Sequence, residues 1–176
     1  MGSFTMRRHV YWAALVVAAA LIEASWLGVI RLQGVMPDLI LLLLIYFGVT
    51  KGDERAMFTG LIGGLVQDVT GDTLLGHHVL PLVAVGFIVG RLSERLVTGH
   101  PSVKVALVFC ASLFHGLLFI SISYFQNPEL NALYLFGVSV IPRAFYTALM
   151  TPLIFFALER SRHFGADSTG DAGVKA

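Results

Sequence analysis

Long apolar runs alternate with short polar segments along this chain. A helix needs about 20 mostly apolar residues to cross some 30 Å of hydrocarbon. Three runs have that length: Val10–Ile30, Val103–Phe125 and Ala132–Leu158. The last is long enough to tilt or to project into water. Three further runs, Val35–Thr50, Ala56–Val69 and Val79–Gly90, are shorter. Their flanks extend them: the third can begin at Gly52, and the fourth can run from Leu74 to Leu96. The pattern predicts an all-α integral membrane protein with six transmembrane helices over residues 6–160. A re-entrant hairpin made of the third and fourth runs is the alternative. Its backbone would have to be covered by protein, which favours full spans. After Arg162 the chain is rich in Gly, Ser, Thr and Asp without apolar periodicity, so residues 161–176 read as a disordered tail.

Charge orients the bundle. Of the 12 Lys and Arg residues, ten fall on one side: Arg7, Arg8, Lys51, Arg55, Arg91, Arg95, Lys104, Arg160, Arg162 and Lys175. Only Arg31 falls on the other, and Arg143 lies inside the last run. By the positive-inside rule both termini are cytoplasmic, and the loops at 70–78 and 126–131 face outward. The chain thus reads as a multi-pass membrane protein. Composition agrees: 56% of residues are hydrophobic and 13% charged, against roughly 25% charged in soluble domains. The net charge of +1 and the lack of a basic cluster give no sign of nucleic-acid binding. Arg7 and Arg8 precede the first run as in a signal peptide, but the run is too long for an h-region and reads as a retained helix. The single cysteine, Cys110, reads as small apolar filling.

Ionisable groups in lipid cost about 2.5–3.5 kcal/mol each on insertion scales and need partners. Four stand out: Glu23, Asp38, Asp68 and Arg143. At 1.5 Å per residue, Glu23 lies roughly 10 Å and Arg143 roughly 16 Å from the outer ends of their helices. Asp38 and Asp68 fall near the outer ends of theirs. One reading is an outward-opening polar cluster that binds something. The plainer reading, which we favour, is a Glu23–Arg143 ion pair locking the first helix to the last, with Asp38 starting a helix whose dipole favours a carboxylate.

Gly60/Gly64 and Gly86/Gly90 are small-xxx-small pairs that let helix backbones approach closely. They imply either packing of the third helix on the fourth or a face that docks a partner helix; the first is the simpler. No catalytic constellation emerges. Gly137-Val138-Ser139 is a lone fragment of an intramembrane serine-protease motif, without a histidine base on a later helix. His77 and His78 are adjacent, poor geometry for one metal, and read as a wet loop; His115 reads as hydrogen-bonded to a neighbour. No metal or cofactor is expected.

From Val35 to Arg95 the residues take a recognisable order. Pro37-Asp38-Leu39 opens a leucine-rich run to Tyr46; a charged turn with Gly52 follows. Then come Gly60, Gly63, Gly64, Gln67-Asp68, Gly71, Leu75-Gly76, Gly86 and Gly90. This order, with Arg143 in the last helix, resembles the MreD family of rod-shape proteins; His77-His78 departs from it, where small or apolar residues are more usual. The resemblance implies a non-enzymatic membrane scaffold of the bacterial elongation machinery. Such a scaffold binds MreC, a single-span protein, and connects indirectly to MreB, RodA and a class B penicillin-binding protein, thereby regulating peptidoglycan synthesis and cell shape. It also implies a fold similar to the six-helix substrate-binding subunits of ECF vitamin transporters. That likeness supplies the rival function: a solute-binding subunit with Glu23, Asp68 and Arg143 around its pocket, and Trp26 and Tyr124 as available aromatic residues.

Overall fold

A computed structural model describes residues 2–25, 36–71, 74–95 and 100–167, and the side chains among them at 9–25, 36–71, 74–95 and 100–160. These residues form helices and no strand. α1 is Gly2–Ser25, α2 Leu39–Lys51, α3 Asp53–Thr70, α4 Val79–Ser93 and α5 Pro101–Gln126. The sixth helix, α6, is continuous through three pieces: Ala132–Leu135, a π-helical turn Phe136–Val140, and Ile141–Asp167. Pro142 accounts for the π turn. It has no N–H for the carbonyl four residues back, and its ring crowds that carbonyl.

α2 is the axis of the bundle. It packs against all five other helices, and Ile40–Tyr46 are each 5% exposed or less. This explains why its sequence is apolar on every side rather than amphipathic. The core around it takes Val16 and Ala20 from α1, Ala56 from α3, Val85 from α4, Val108 from α5 and Phe155 from α6. The outside of the bundle is apolar as well. Leu21 and Ile22 on α1, Phe58 and Leu65 on α3, Phe87 on α4, and Phe145, Leu149 and Phe156 on α6 are all exposed. A soluble domain does not present such a surface.

Pro101–Gln126 and Ala132–Arg160 are long and apolar enough to cross a membrane. α2, with 13 residues, is only about 20 Å long. It starts four residues later than its apolar run, because Asp38 caps it: the carboxylate Oδ1 accepts from Leu41 N–H at 2.9 Å. Enclosed by the other helices, α2 does not need to match the thickness of lipid.

α3 and α4 make the most intimate helix pair, and the glycines are the reason. A Cβ on Gly60 would stand 2.8 Å from the Leu82 carbonyl, one on Gly64 2.7 Å from Val79 Cα, and one on Gly86 2.9 Å from the Ala56 carbonyl carbon. Gly90 sits directly on Asp53. All four glycines therefore lie in the α3–α4 contact. Cys110, read as small apolar filling, is exposed on α5. The expected tail begins at 161, whereas α6 continues to Asp167; residues 168–176 lie outside the described ones, as do Trp26 and Arg31 and the side chains of Arg7, Arg8, Arg162 and Lys175.

Candidate functional site

Two groups of polar residues stand out toward one end of the bundle. The first joins α1, α2, α5 and α6. Arg143 Nη2 is 3.2 Å from Asp38 Oδ2 and 3.6 Å from Glu23 Oε1. Glu23 Oε2 accepts from the backbone N–H of Ile40 at 3.2 Å. Asp38 N–H donates to Thr147 Oγ1 at 3.1 Å, and His115 Nδ1 lies 3.6 Å from Asp38 Oδ2. Glu23 therefore holds the first turn of α2, Asp38 caps it, and Arg143 draws both carboxylates onto α6. Asp38 is 1% exposed and His115 5%, so both polar side chains depend on these contacts rather than on water.

Sequence depth puts Asp38 near the outer end of its helix and Arg143 deeper in its own, yet their side chains meet at 3.2 Å. The N-terminus of α2 thus starts within the bundle, with Asp38 buried. Length alone could not show this, because the run from Val35 reads as a span whichever residue begins the helix. His115 belongs to the same cluster, which its solitary position in an apolar run did not reveal.

Asp68 organises a second set of contacts. Its Oδ2 accepts from Gly76 N–H at 2.6 Å, and its Oδ1 accepts from His78 N–H at 2.7 Å and faces His78 Nδ1 at 2.9 Å. The carboxylate at the end of α3 thus folds the connection to α4 around itself. Gly76 is required there: its φ is +100°, a backbone region L side chains rarely adopt. Leu75 beside it is 77% exposed.

The two histidines do not form a wet loop. His78 is held by Asp68, and His77 is 7% exposed. The His77 ring lies 3.1 Å from Ser123 Oγ and 3.2 Å from Gln126 Nε2, and meets Phe119 edge-on at 4.3 Å. Burial, and then the neighbouring His78, push its pKa below the usual histidine value. His77 thereby ties the α3–α4 connection to the end of α5.

At the opposite end, Trp12 Nε1 donates to Thr59 Oγ1 at 3.2 Å, and the Arg55 guanidinium lies 4.7 Å from the Trp12 ring centroid. Asp53 and Arg91 pair at 3.2 Å, and Lys104 and Glu159 at 3.2 Å. Tyr124 lines an outward-facing apolar groove of α5 and α6. Among the described residues no cluster of metal-binding side chains occurs.

An apolar-skinned helical bundle with an ion-paired interior defines a membrane-embedded structural unit. The chain matches the family of rod shape-determining protein MreD over residues 5–160, and it belongs to that family. It is therefore a membrane protein with a rod shape-determining role. No match is found among curated proteins.

Proposed function

We propose that this protein is a non-enzymatic scaffold of the elongation complex that crosses the membrane six times with both termini cytoplasmic. In this reading it binds the single-span protein MreC and, through it, bears on MreB, RodA and a class B penicillin-binding protein. The observation that carries the reading is the family match across nearly the whole chain. Several features support the topology. Lys51, Arg55, Arg91, Arg95 and Lys104 lie at or near the α2–α3 and α4–α5 ends, where the positive-inside rule expects them. The exposed apolar faces of α1, α3, α4 and α6 suit lipid contact. The interior is locked by charge pairs and close glycine contacts, as suits a rigid platform. MreC association in lipid would come from close packing and a few hydrogen bonds, since lipid tails offer no apolar driving force between helices.

Coexpression with the MreC of the same host tests this. The expected result is copurification at a fixed ratio. Purification free of MreC, with a stoichiometric bound vitamin and an ECF-type energising partner, would overturn it.

A further inference from the structure

The helices fall into two parts. α1 to α4 pack on one another, with α3 on α4 the closest pair, and α5 packs chiefly on α6. The backbones of the two parts approach where α5 meets α4, and where α2 meets α5 and α6. Polar ties cross this boundary at the cluster of Glu23, Asp38, His115 and Arg143, and at His77.

His77 lies just before α4 and reaches the end of α5. Ser123 Oγ donates to the Phe119 carbonyl at 2.9 Å, so toward the His77 ring, at 3.1 Å, it accepts from Nε2–H. Nδ1 then carries the lone pair, and Gln126 Nε2 donates to it at 3.2 Å. The neutral ring thus has both nitrogens partnered. A second proton makes Nδ1 a donor facing the Gln126 donor, in a site where His77 is 7% exposed. The titratable groups beside it are His78, with ring centroids 5.7 Å apart, and Asp68, which holds His78. From α5 it meets Ser123, Gln126 and Phe119, none of which changes charge between about pH 5 and 8. Burial and His78 outweigh Asp68, and the pKa of the ring falls below the usual histidine value.

We propose that His77 is a proton-operated latch: neutral, it fastens the start of α4 to the end of α5, and protonated, it releases them so that the two helix ends part. On the six-span topology proposed above, this end faces outward, so the latch answers to the pH outside the membrane. The α3–α4 glycine contacts and the ion cluster hold the rest of the bundle together, which confines the movement to these helix ends.

Spin labels replacing Leu80 on α4 and Phe125 on α5, both exposed, report the separation in full-length Cys110→Ser protein by pulsed electron resonance in lipid nanodiscs. Both faces of a disc meet the buffer, so the result does not depend on the topology. A longer-distance population should be several-fold larger at pH about 5 than at about 8, with a midpoint below the ordinary histidine value of about 6.5. Labels at Phe125 and Leu133, across the α5–α6 hairpin, should keep their distance. His77→Asn should give one distribution at both pH values. Gln126→Glu sets a carboxylate against the protonated ring and should stay closed at the lower pH. Gln126 is exposed, so this variant decides the matter if His77→Asn fails to fold. Identical wild-type distributions at both pH values, or an acid-driven opening that persists in His77→Asn or Gln126→Glu, would overturn the inference.

Discussion

Arg143 Nη2 lies 3.2 Å from Asp38 Oδ2 across 105 residues of chain, and through that contact the last helix grips the N-terminus of the central one. Asp38 is simultaneously the cap of α2 and the anion of an interhelical pair. Loss of Arg143 leaves both carboxylates without their cation, and loss of Asp38 leaves Arg143 with Glu23 alone. Arg143→Gln and Asp38→Asn should each lower stability in detergent by on the order of 3 kcal/mol. Arg143→Gln combined with Asp38→Asn should lose less than the sum of the two single changes. Glu23→Gln should cost less than Asp38→Asn, since Arg143 lies 3.2 Å from the Asp38 carboxylate and 3.6 Å from that of Glu23. Thermal unfolding of the single and double variants measures this; additive losses for Asp38 and Arg143 would separate their roles.

The α3–α4 contact has no room for side chains at its glycines. Gly60→Ala or Gly86→Ala should therefore cost about 1–3 kcal/mol by overpacking, and leucine at either site more. Leu43→Met inside the α2 core should cost under about 1.5 kcal/mol, because its volume is nearly conserved. Chemical denaturation in mild detergent distinguishes these. A Gly60→Leu variant that stays folded but no longer captures MreC would reassign this face to docking.

At the α3–α4 connection, Asp68→Ala leaves the Gly76 and His78 N–H groups unpartnered, at about 1–3 kcal/mol each. Gly76→Ala forces an alanine into a positive-φ backbone, at about 1–2 kcal/mol. Both variants should expose the connection to a protease added on that side of the membrane while α5 and α6 remain protected. Equal protection in wild type and variants would show that this network does not hold the loop.

His77 supplies a pH dependence. Its folded-state pKa is lowered by burial first and by His78 second, with Asp68 opposing. The sign follows from linkage. The stability from neutral His77 is fully present above the unfolded value and is lost as pH falls through the folded one. Wild type should melt lower at pH about 5 than at about 8, and His77→Asn should show a smaller difference. An identical pH response in both would assign the dependence to other groups.

Much of this architecture is legible in the sequence, for physical reasons that also mark where legibility stops. Apolar runs fix the number and approximate extent of the helices, because lipid and core both demand them. The Gly60–Gly64 and Gly86–Gly90 spacings signal close backbone approach directly. Helix-end depth brings Glu23 and Arg143 to similar levels, and their side chains lie 3.6 Å apart. Depth does not reveal the Asp38–Arg143 contact, because a cap can begin a helix inside the bundle as readily as at its surface. It also fails for His115, whose partner comes from another helix and leaves no local periodicity. His77 looked wet because adjacent polar residues between spans usually are; its burial depends on Ser123 and Gln126, some 46 and 49 residues away.

The central claim is that this protein shapes a rod-forming cell as a membrane scaffold. The most direct measurement is depletion of the protein in its own rod-shaped host, with cell width and length followed by microscopy. Cells should widen and round as the protein is lost. Wild type supplied in trans should restore the rod, and an Asp38→Leu variant that fails to fold should not. Depleted cells that keep a normal rod and normal width over many generations would contradict it.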